Sequence, residues 1–404
     1  MRAAFARYFI ASIFISTLAT AAVSEGPDVV VGFVEHPTQI GEINNGLVGL
    51  SAATTSCNVG TDNLNWYQLP DNRHPVIALN LYMLGKNGRM EQVGQSWVKH
   101  GFFATNEDLC RGQGIPGISD GGCPRIDNED GQVLRPQCGD PYDETLNARE
   151  DMLGPRSKIN PTSGAFGADA QDLSGYPPST AAQRIITADE AALMQQGARF
   201  FIEAQYIASD DSTSGHSLNN VTYREMRPTK SGNRWRFDFL TPQLRFIPAI
   251  RAWEGAKFAD VEGIEQGAKA KVVVAYKVTP IEGKFRYDYA VYNMNSDLGV
   301  GSLSIPAAGL QSGSEGFKAA KSSGEIWSND PWTAKTAGNA ITWSAEPFAT
   351  SPKANAIRWG TTYNFWFVSD AAPTQGKATL GRFKTANDAG SPETVSVDVE
   401  VPGS

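Results

Sequence analysis

Residues 74–100 read HPVIALNLYMLGKNGRMEQVGQSWVKH, two runs rich in apolar residues on either side of an Asn-Gly pair, with a histidine at each end. Asn-Gly between two such runs is a strong signal for a β-hairpin turn. We therefore predict an antiparallel hairpin with its turn at Asn87 and Gly88. The chain has only 4 histidines, so this hairpin would carry half of them.

Two turns are compatible with the hairpin, and they give registers that differ by one residue. A two-residue type I′ turn points His74 and His100 to opposite faces and gathers a more apolar core face. A three-residue turn, with Gly88 left-handed at a bulge, places His74 directly opposite His100. We favour the three-residue turn, because one of its faces carries small and polar side chains that suit the floor of a cleft. A shift of one residue moves every side chain to the other face, so this choice decides whether the imidazoles meet.

Facing histidines on paired strands have Cβ atoms ~5 Å apart, close enough to share a metal ion or a proton path. Two imidazoles supply half of a copper or zinc site, and other ligands must complete it. Asp140, in CGDPYDETLN, and His216, in SDDSTSGHSLNN, are the candidates. In the alternative, His74 simply caps the strand before Pro75 and His100 forms hydrogen bonds at a partly buried edge.

The N-terminus carries the features of an export signal. Residues 1–22, MRAAFARYFIASIFISTLATAA, place arginines before a short apolar run that ends in small residues, which predicts a secretory signal peptide. No later window approaches ~18 consecutive apolar residues, so we expect no membrane span in the mature chain. The net charge of −8 argues against a nucleic-acid partner. We expect a secreted or periplasmic protein.

Four cysteines, Cys57, Cys110, Cys123 and Cys138, lie in the first part of the chain. In an exported protein an even number predicts two disulfides, with three possible connectivities. A thiolate metal site is the alternative, but it lacks the usual close pairs of cysteines. Disulfides would fasten residues 110–178, a segment rich in Gly, Pro, Asp and Asn with almost no strand or helix period.

Composition and period predict an all-β protein. The chain holds 40 Gly and 23 Pro, which long helices exclude. In residues 271–279 (KVVVAYKVT) and 284–293 (KFRYDYAVYN) alternate side chains are apolar or aromatic, as half-buried strands require. The length predicts two domains. We expect antiparallel, β-sandwich-like domains at 23–262, with the Cys-fastened loop excursion, and at 263–404, with residues 263–271 as a linker or long turn.

Three further residues are candidates for ligand binding. Trp327 and Trp332 lie in the loop sequence EIWSNDPWTA and could stack on a saccharide if exposed; buried, they would be core. Arg156, in LGPRS, could grip a carboxylate or fasten its own loop. No nucleophile elbow, zinc-protease motif, P-loop or nucleotide fingerprint is present in the sequence, so hydrolase and kinase functions have no support.

Seven separated segments occur in one order: SCNVGT, HPVIALNLY, SWVKHGFFA, CGDPY, LGPRS, YAVYNMNSD and IRWGTTYNFWF. Together they resemble a family of secreted bacterial β-rich proteins of unassigned activity. The resemblance implies an extracytoplasmic β-rich fold with motifs at His74, His100 and the four cysteines. His216 departs from it, because this loop tends to be Asn-rich in such proteins, which puts His216 in doubt as a ligand.

The sequence is compatible with two functions. One is a secreted or periplasmic metal-binding protein, an oxidoreductase or lyase in which His74 and His100 bind copper or zinc. The other is a non-catalytic extracellular binding or surface-structural protein that recognises a small molecule, a polysaccharide or envelope material.

Overall fold

The computed structural model describes residues 24–126, 130–385 and 393–403. The predicted signal peptide, residues 1–22, lies outside them. The all-β prediction is confirmed, since strands dominate the described chain. In chain order the strands are β1 (Val29–Gln39), β2 (Leu47–Asn58), β3 (Leu64–Asn65), β4 (Val76–Leu84), β5 (Met90–Lys99), β6 (Val133–Leu134), β7 (Gly139–Tyr142), β8 (Leu153–Gly154), β9 (Ile186–Asp189), β10 (Arg199–Ile207), β11 (Val221–Ser231), β12 (Arg234–Phe239), β13 (Leu244–Arg245), β14 (Lys257–Glu265), β15 (Ala268–Ile281), β16 (Lys284–Asn293), β17 (Val300–Pro306), β18 (Gly316–Lys318), β19 (Thr333–Ala337), β20 (Ala340–Ser344), β21 (Thr361–Ser369), β22 (Pro373–Arg382) and β23 (Thr394–Pro402).

The helices are short and lie in the connections. They are α1 (Glu144–Asn147), α2 (Ala181–Arg184), α3 (Glu190–Leu193) and α4 (Ser209–Ser214), with single 3-10 turns at Glu150–Met152, Arg156–Lys158 and Ala249–Ala252. Within the described ranges, no helix has the length and apolar character needed to cross a bilayer.

Three sheets form the body of the molecule. The large sheet has the order β7-β2-β1-β12-β11-β10-β4-β5-β8, with β9 beside β2 and β13 beside β11. A five-stranded inner sheet has the order β14-β15-β16-β21-β18, and a five-stranded outer sheet the order β19-β20-β17-β22-β23. A small β3-β6 pair lies apart from them. The strand pairings are antiparallel throughout these sheets.

The inner and outer sheets form the predicted β-sandwich. Val272, Val274 and Tyr276 of β15 pack with Leu303 of β17 and Trp343 of β20 in one buried cluster. The alternate residues of β15 face the other way. Val273 and Ala275 pack against Tyr82, Met90 and Phe201 of the large sheet. The inner sheet is therefore covered on both faces, and the three sheets are stacked in layers.

The segment 263–271 differs from its prediction as a linker or long turn. Glu265 at the end of β14 pairs with Ala268 at the start of β15, so only Gln266 and Gly267 turn the chain. β14 crosses the predicted domain boundary at 262/263. The division into domains at that position stays a prediction.

The hairpin of residues 74–100 uses the three-residue turn, as predicted. Leu84 pairs with Met90, and Gly88 has a φ of 78°, in the left-handed region. Two irregularities in β5 then shift the register: Ser96 and Trp97 lie opposite the single residue Leu79, and an extra residue precedes Gly94. At the open end Ile77 pairs with Lys99, so the prediction that His74 lies directly opposite His100 is wrong. Because each shift reverses the faces, two shifts restore them, and both histidines still share a face.

Arg156 supplies the backbone hydrogen bonds that the first bulge leaves unmade. Its Nε donates to Ser96 O at 2.6 Å and its Nη2 to Leu79 O at 3.1 Å and to Asn80 Oδ1 at 2.9 Å. Its Nη1 reaches Gly360 O, next to β21 of the inner sheet, at 3.4 Å. The side chain is 1% exposed, and burial lowers its pKa to about 10, so it keeps its charge at neutral pH.

We expect Arg156→Met to lower the free energy of unfolding by about 3 kcal/mol, because it leaves several buried carbonyl groups without donors. Urea unfolding followed by tryptophan fluorescence measures the loss. The control is Arg236→Met, which removes an arginine that is 78% exposed and paired with Asp238, and which should change stability by less than about 0.5 kcal/mol. Equal effects of the two variants would contradict the role assigned to Arg156.

Candidate functional site

His74 and His100 form a buried pair. Nε2 of His74 lies 3.1 Å from Nδ1 of His100, and the two ring planes are nearly perpendicular, at 89°. Phe102 and Phe166 enclose the pair, with the ring centroid of Phe166 5.1 Å from that of His74 and 5.0 Å from that of His100. The predicted convergence of the imidazoles is confirmed, although the register that produces it differs.

The surroundings of the pair favour neutral rings. Burial lowers the pKa of His74 to about 4 and that of His100 to about 3, and in both cases the nearby Lys99 adds to the effect. In two neutral rings one nitrogen donates the shared hydrogen bond and the other accepts it. Of the outward atoms, Nε2 of His100 is buried without a hydrogen-bond partner in the described part of the chain, whereas the His74 ring also interacts by hydrogen bonding with the backbone of Asp71 and Tyr67. The pair can therefore relay a proton or offer lone pairs to a metal ion.

The two other predicted ligands lie elsewhere. The carboxylate of Asp140 accepts from the indole Nε1 of Trp66 at 2.8 Å and from the backbone N and hydroxyl of Thr105 at 2.8 and 3.0 Å. His216 bonds to Glu25 O through Nε2, with Nδ1 4.0 Å from the Asp28 carboxylate. Across the residues that the structure describes, no three His, Cys, Asp or Glu side chains are grouped to hold a metal ion. Of the four predicted ligands, the structure brings together only the histidine pair.

The cysteines form two disulfides, as predicted, and these resolve the connectivity. Cys57 in β2 is bonded to Cys110, and Cys123 is bonded to Cys138. β7 begins directly after Cys138 and pairs with β2. This pairing anchors the excursion at the edge of the large sheet. Residues 100–126 and 130–152 therefore form a wall, held by the disulfides, beside the end of β5.

A cleft of about 750 Å³ opens in this wall, within the ~300–1,000 Å³ range usual for small-molecule sites. Its lining combines apolar and polar side chains. The apolar ones are Leu69, Pro70, Phe102, Phe103, Pro141, Leu146 and Met152, and the polar ones are Gln68, Thr105, Tyr142, Arg149, Asp151 and Gln171. We refer to this set as the cleft.

Phe103 provides an exposed aromatic ring in the cleft. It is 46% exposed, and its backbone N donates to the Tyr142 hydroxyl at 3.0 Å. The ring packs over Gly131, where a Cβ atom would come within 2.4 Å of it. A glycine at this position is therefore needed for the ring to lie where it does.

The charges in the cleft cancel. Arg149 donates two hydrogen bonds of 2.7 Å to the two carboxylate oxygens of Asp151. Gln171 donates to the backbone O of Asp151 at 2.8 Å, which ties a third segment to the same rim. The polar side of the cleft is thus electrically neutral and rich in amide and hydroxyl groups.

A buried lysine lies behind the cleft wall. Lys99 is 1% exposed, and its Nζ lies 3.1 Å from the ring centroid of Tyr142 and 4.0 Å from that of Phe102. Burial lowers the pKa of Lys99 well below its usual value. Because Lys99 and His100 are consecutive, they point in opposite directions, Lys99 toward the cleft wall and His100 toward His74.

Of the three predicted ligand-binding residues, Arg156 and Trp327 line a small cavity of about 170 Å³. Trp332 is 5% exposed and stacks on Phe317 in the sandwich core, so the buried alternative applies to it. Trp327 is partly buried, with the Arg358 guanidinium 4.6 Å from its ring centroid. Arg156 is fully engaged in the hairpin bulge, which confirms the fastening alternative over that of a carboxylate grip.

The sequence pattern does not predict the cleft. Its residues come from short segments around positions 69, 102, 142, 149 and 171, most of which lie in irregular structure without a period. The one available signal was the aromatic pair in KHGFFA, since a Phe-Phe pair directly after a strand cannot bury both rings on one face.

Comparison with known proteins adds little to this picture. No family model and no curated protein matches the chain. Among solved structures, a serine-rich repeat adhesion glycoprotein from Streptococcus agalactiae aligns over 96% of this chain and 100% of its own, with 9% identity and a TM-score of 0.23. A similarity of this size carries no argument about function, so the site is interpreted from its own residues.

We expect the stability of metal-free protein to fall as the pH drops from 6.5 to 5. In this range the imidazoles of the unfolded chain bind protons, while the buried pair, with pKa values of about 4 and 3, does not. The loss should be about 1–2 kcal/mol for each imidazole.

Urea unfolding at a series of pH values, with a chelator present, measures this slope. The double variant His74→Asn, His100→Asn should have a flatter profile, whereas His36→Asn, His216→Asn should keep that of the parent. A parent profile that stays level over the interval would show that the pair is not held neutral.

Proposed function

We propose that the protein is a non-catalytic, extracytoplasmic binding protein, and that the cleft takes a neutral saccharide unit. The observation that carries this proposal is the composition of the cleft: an exposed aromatic ring beside a charge-neutral set of amide and hydroxyl groups. The disulfides agree with an oxidising compartment, where such bonds persist.

The apolar side of the cleft matches one face of a sugar ring. Phe103, held over Gly131, presents its ring to solvent at the rim, and Leu69, Pro70 and Met152 continue the apolar surface. The C–H face of a pyranose is apolar and flat, and an aromatic side chain covers such a face with little loss of conformational entropy.

The polar side matches the hydroxyl groups. Amides both donate and accept hydrogen bonds, as sugar hydroxyls do, and Gln68 and Gln171 supply them. A charged ligand would meet no opposite net charge, because Arg149 and Asp151 neutralise each other. A neutral polyol is therefore favoured over a carboxylate or a phosphate.

This proposal moves the binding site away from the loop tryptophans. The predicted saccharide platform at Trp327 and Trp332 is replaced by Phe103 and the cleft, while the ligand class stays the same. The predicted oxidoreductase or lyase reaction remains a prediction, to which the cleft adds no support.

We expect saturable binding of at least one neutral oligosaccharide, tested with cellotetraose, xylotetraose, maltotetraose and chitotetraose by isothermal titration calorimetry. Phe103→Ala should weaken this binding about tenfold, because it removes the aromatic contact. A tetragalacturonate should bind more weakly than the neutral probes. The control is Met194→Ala, which truncates another exposed apolar side chain (58%) and should leave the affinity unchanged.

Absence of binding by all four neutral probes, or equal affinities for the parent and Phe103→Ala, would overturn the proposal. Tighter binding of the tetragalacturonate than of any neutral probe would overturn the assignment of a neutral ligand.

We further expect Gly131→Ala to weaken the same binding, because the new methyl group displaces the Phe103 ring. Gly41→Ala is the matched control: Gly41 also has a positive φ, +72° against +68°, but nothing lies within 4 Å of its added Cβ. Both variants should lose about 1 kcal/mol of stability. Only Gly131→Ala should change the titration, and equal binding by the two variants would contradict the role of the ring.

A further inference from the structure

We propose that His74 and His100 form a two-coordinate site for monovalent copper, with Nε2 of His74 and Nδ1 of His100 as the ligands. The site is distinct from the cleft, so this inference does not depend on the proposed saccharide binding. It rests on the geometry of the pair, on the unpartnered Nε2 of His100 and on the charges around the pair.

The pair is incomplete as a hydrogen-bonded unit. Neutral rings that share one hydrogen bond leave one outward nitrogen on each ring. The His74 ring meets the backbone of Asp71 and Tyr67 on that side, but Nε2 of His100 is buried without a partner in the described ranges, which is unfavourable for a polar group. Two polar rings in an apolar enclosure of Phe102 and Phe166 therefore point to a function other than packing.

The charges select a monovalent ion. The cost of burying an ion rises with the square of its charge, so a divalent cation is disfavoured in a dry site that offers no free carboxylate or thiolate. The cysteines are consumed in disulfides. The carboxylates are engaged as well: Asp71 by Arg73, Asp140 by Trp66 and Asp210 by Asn65. A single positive charge on two neutral imidazoles is the least costly arrangement.

The distances allow the ion to enter. Two bonds of ~2 Å in a line need about 4 Å between the nitrogens, against 3.1 Å in the hydrogen-bonded pair. His74 borders a second cavity, of about 340 Å³, together with Asn72, Phe166 and Asp210. This cavity provides a route from solvent. It also gives the His74 ring room to move outward by the difference between these two nitrogen–nitrogen distances.

The protons balance without net release. For both facing nitrogens to coordinate, the shared proton leaves the bridge and each ring keeps one proton on its outward atom. Nδ1 of His74 and Nε2 of His100 then carry N–H groups. The ion replaces the bridging proton, and the number of protons on the pair stays constant.

Anaerobic titration of the full protein with Cu(I), against the chromophoric competitor bicinchoninate, tests the proposal. Ascorbate is used to keep the copper reduced. We expect the parent to withhold one equivalent of Cu(I), and His74→Ala and His100→Ala to withhold none. The double variant His36→Ala, His216→Ala is the control, because it removes the other histidines of the chain and should bind like the parent. Zn²⁺ added in the same way should not be retained.

A second measurement keeps the test decisive if the alanine variants unfold. X-ray absorption of the Cu(I)-loaded parent should show two nitrogen neighbours at ~2 Å and no sulfur, since methionines are the competing ligands. Sulfur neighbours, no retained copper in the parent, or full retention by folded His74→Ala, His100→Ala protein would each overturn the proposal. Retention of Zn²⁺ with an affinity equal to that for Cu(I) would overturn the assignment of charge.

Discussion

The arrangement of this molecule depends on how one arginine satisfies an irregular hairpin. At the first bulge of β5, Leu79 faces two residues; its N–H donates to the Ser96 hydroxyl and its carbonyl accepts from Arg156. Together with the second register shift, this bulge keeps the alternate side chains of β4 and β5 on the same two faces along the whole hairpin. One face then packs in the large-sheet core through Leu81 and Met83, and the other packs Tyr82 and Met90 against the inner sheet. The same phase brings His74 to His100.

Much of the fold could be predicted, because it follows from the alternation of apolar and polar residues along the strands and from the residue types at the turns. Alternation identified β15 and β16, and the Gly88 turn set the register near the tip of the hairpin. The first bulge could not be predicted, since its backbone groups are satisfied by Arg156, which lies far along the chain. The prediction of a linker at 263–271 was wrong. The Gly and Lys content of this segment is typical of linkers, but Gln266 and Gly267 are sufficient for a tight turn between long strands.

The candidate site was predictable only where two residues lie on one hairpin. The histidine pair was found because both rings belong to adjacent strands, whereas Asp140 and His216 were added from residue type alone and lie elsewhere. The sequence could not decide whether Trp332 is exposed or core, because a loop tryptophan is core when a neighbour such as Phe317 covers it. The cleft brings together several segments that are distant in sequence, and its Phe103 is positioned by Gly131, whose contact with that ring cannot be read from the sequence.

The two disulfides also decide when the cleft can exist. They close segments with sequence separations of 53 and 15 residues, and bridges of such spans each contribute on the order of 3–4 kcal/mol. They fasten the largely irregular wall that carries Phe103 and Tyr142. A chain whose cysteines are reduced lacks this support, so the wall matures only after both bonds have formed. The redox state of the surroundings then acts as a checkpoint on the formation of the cleft.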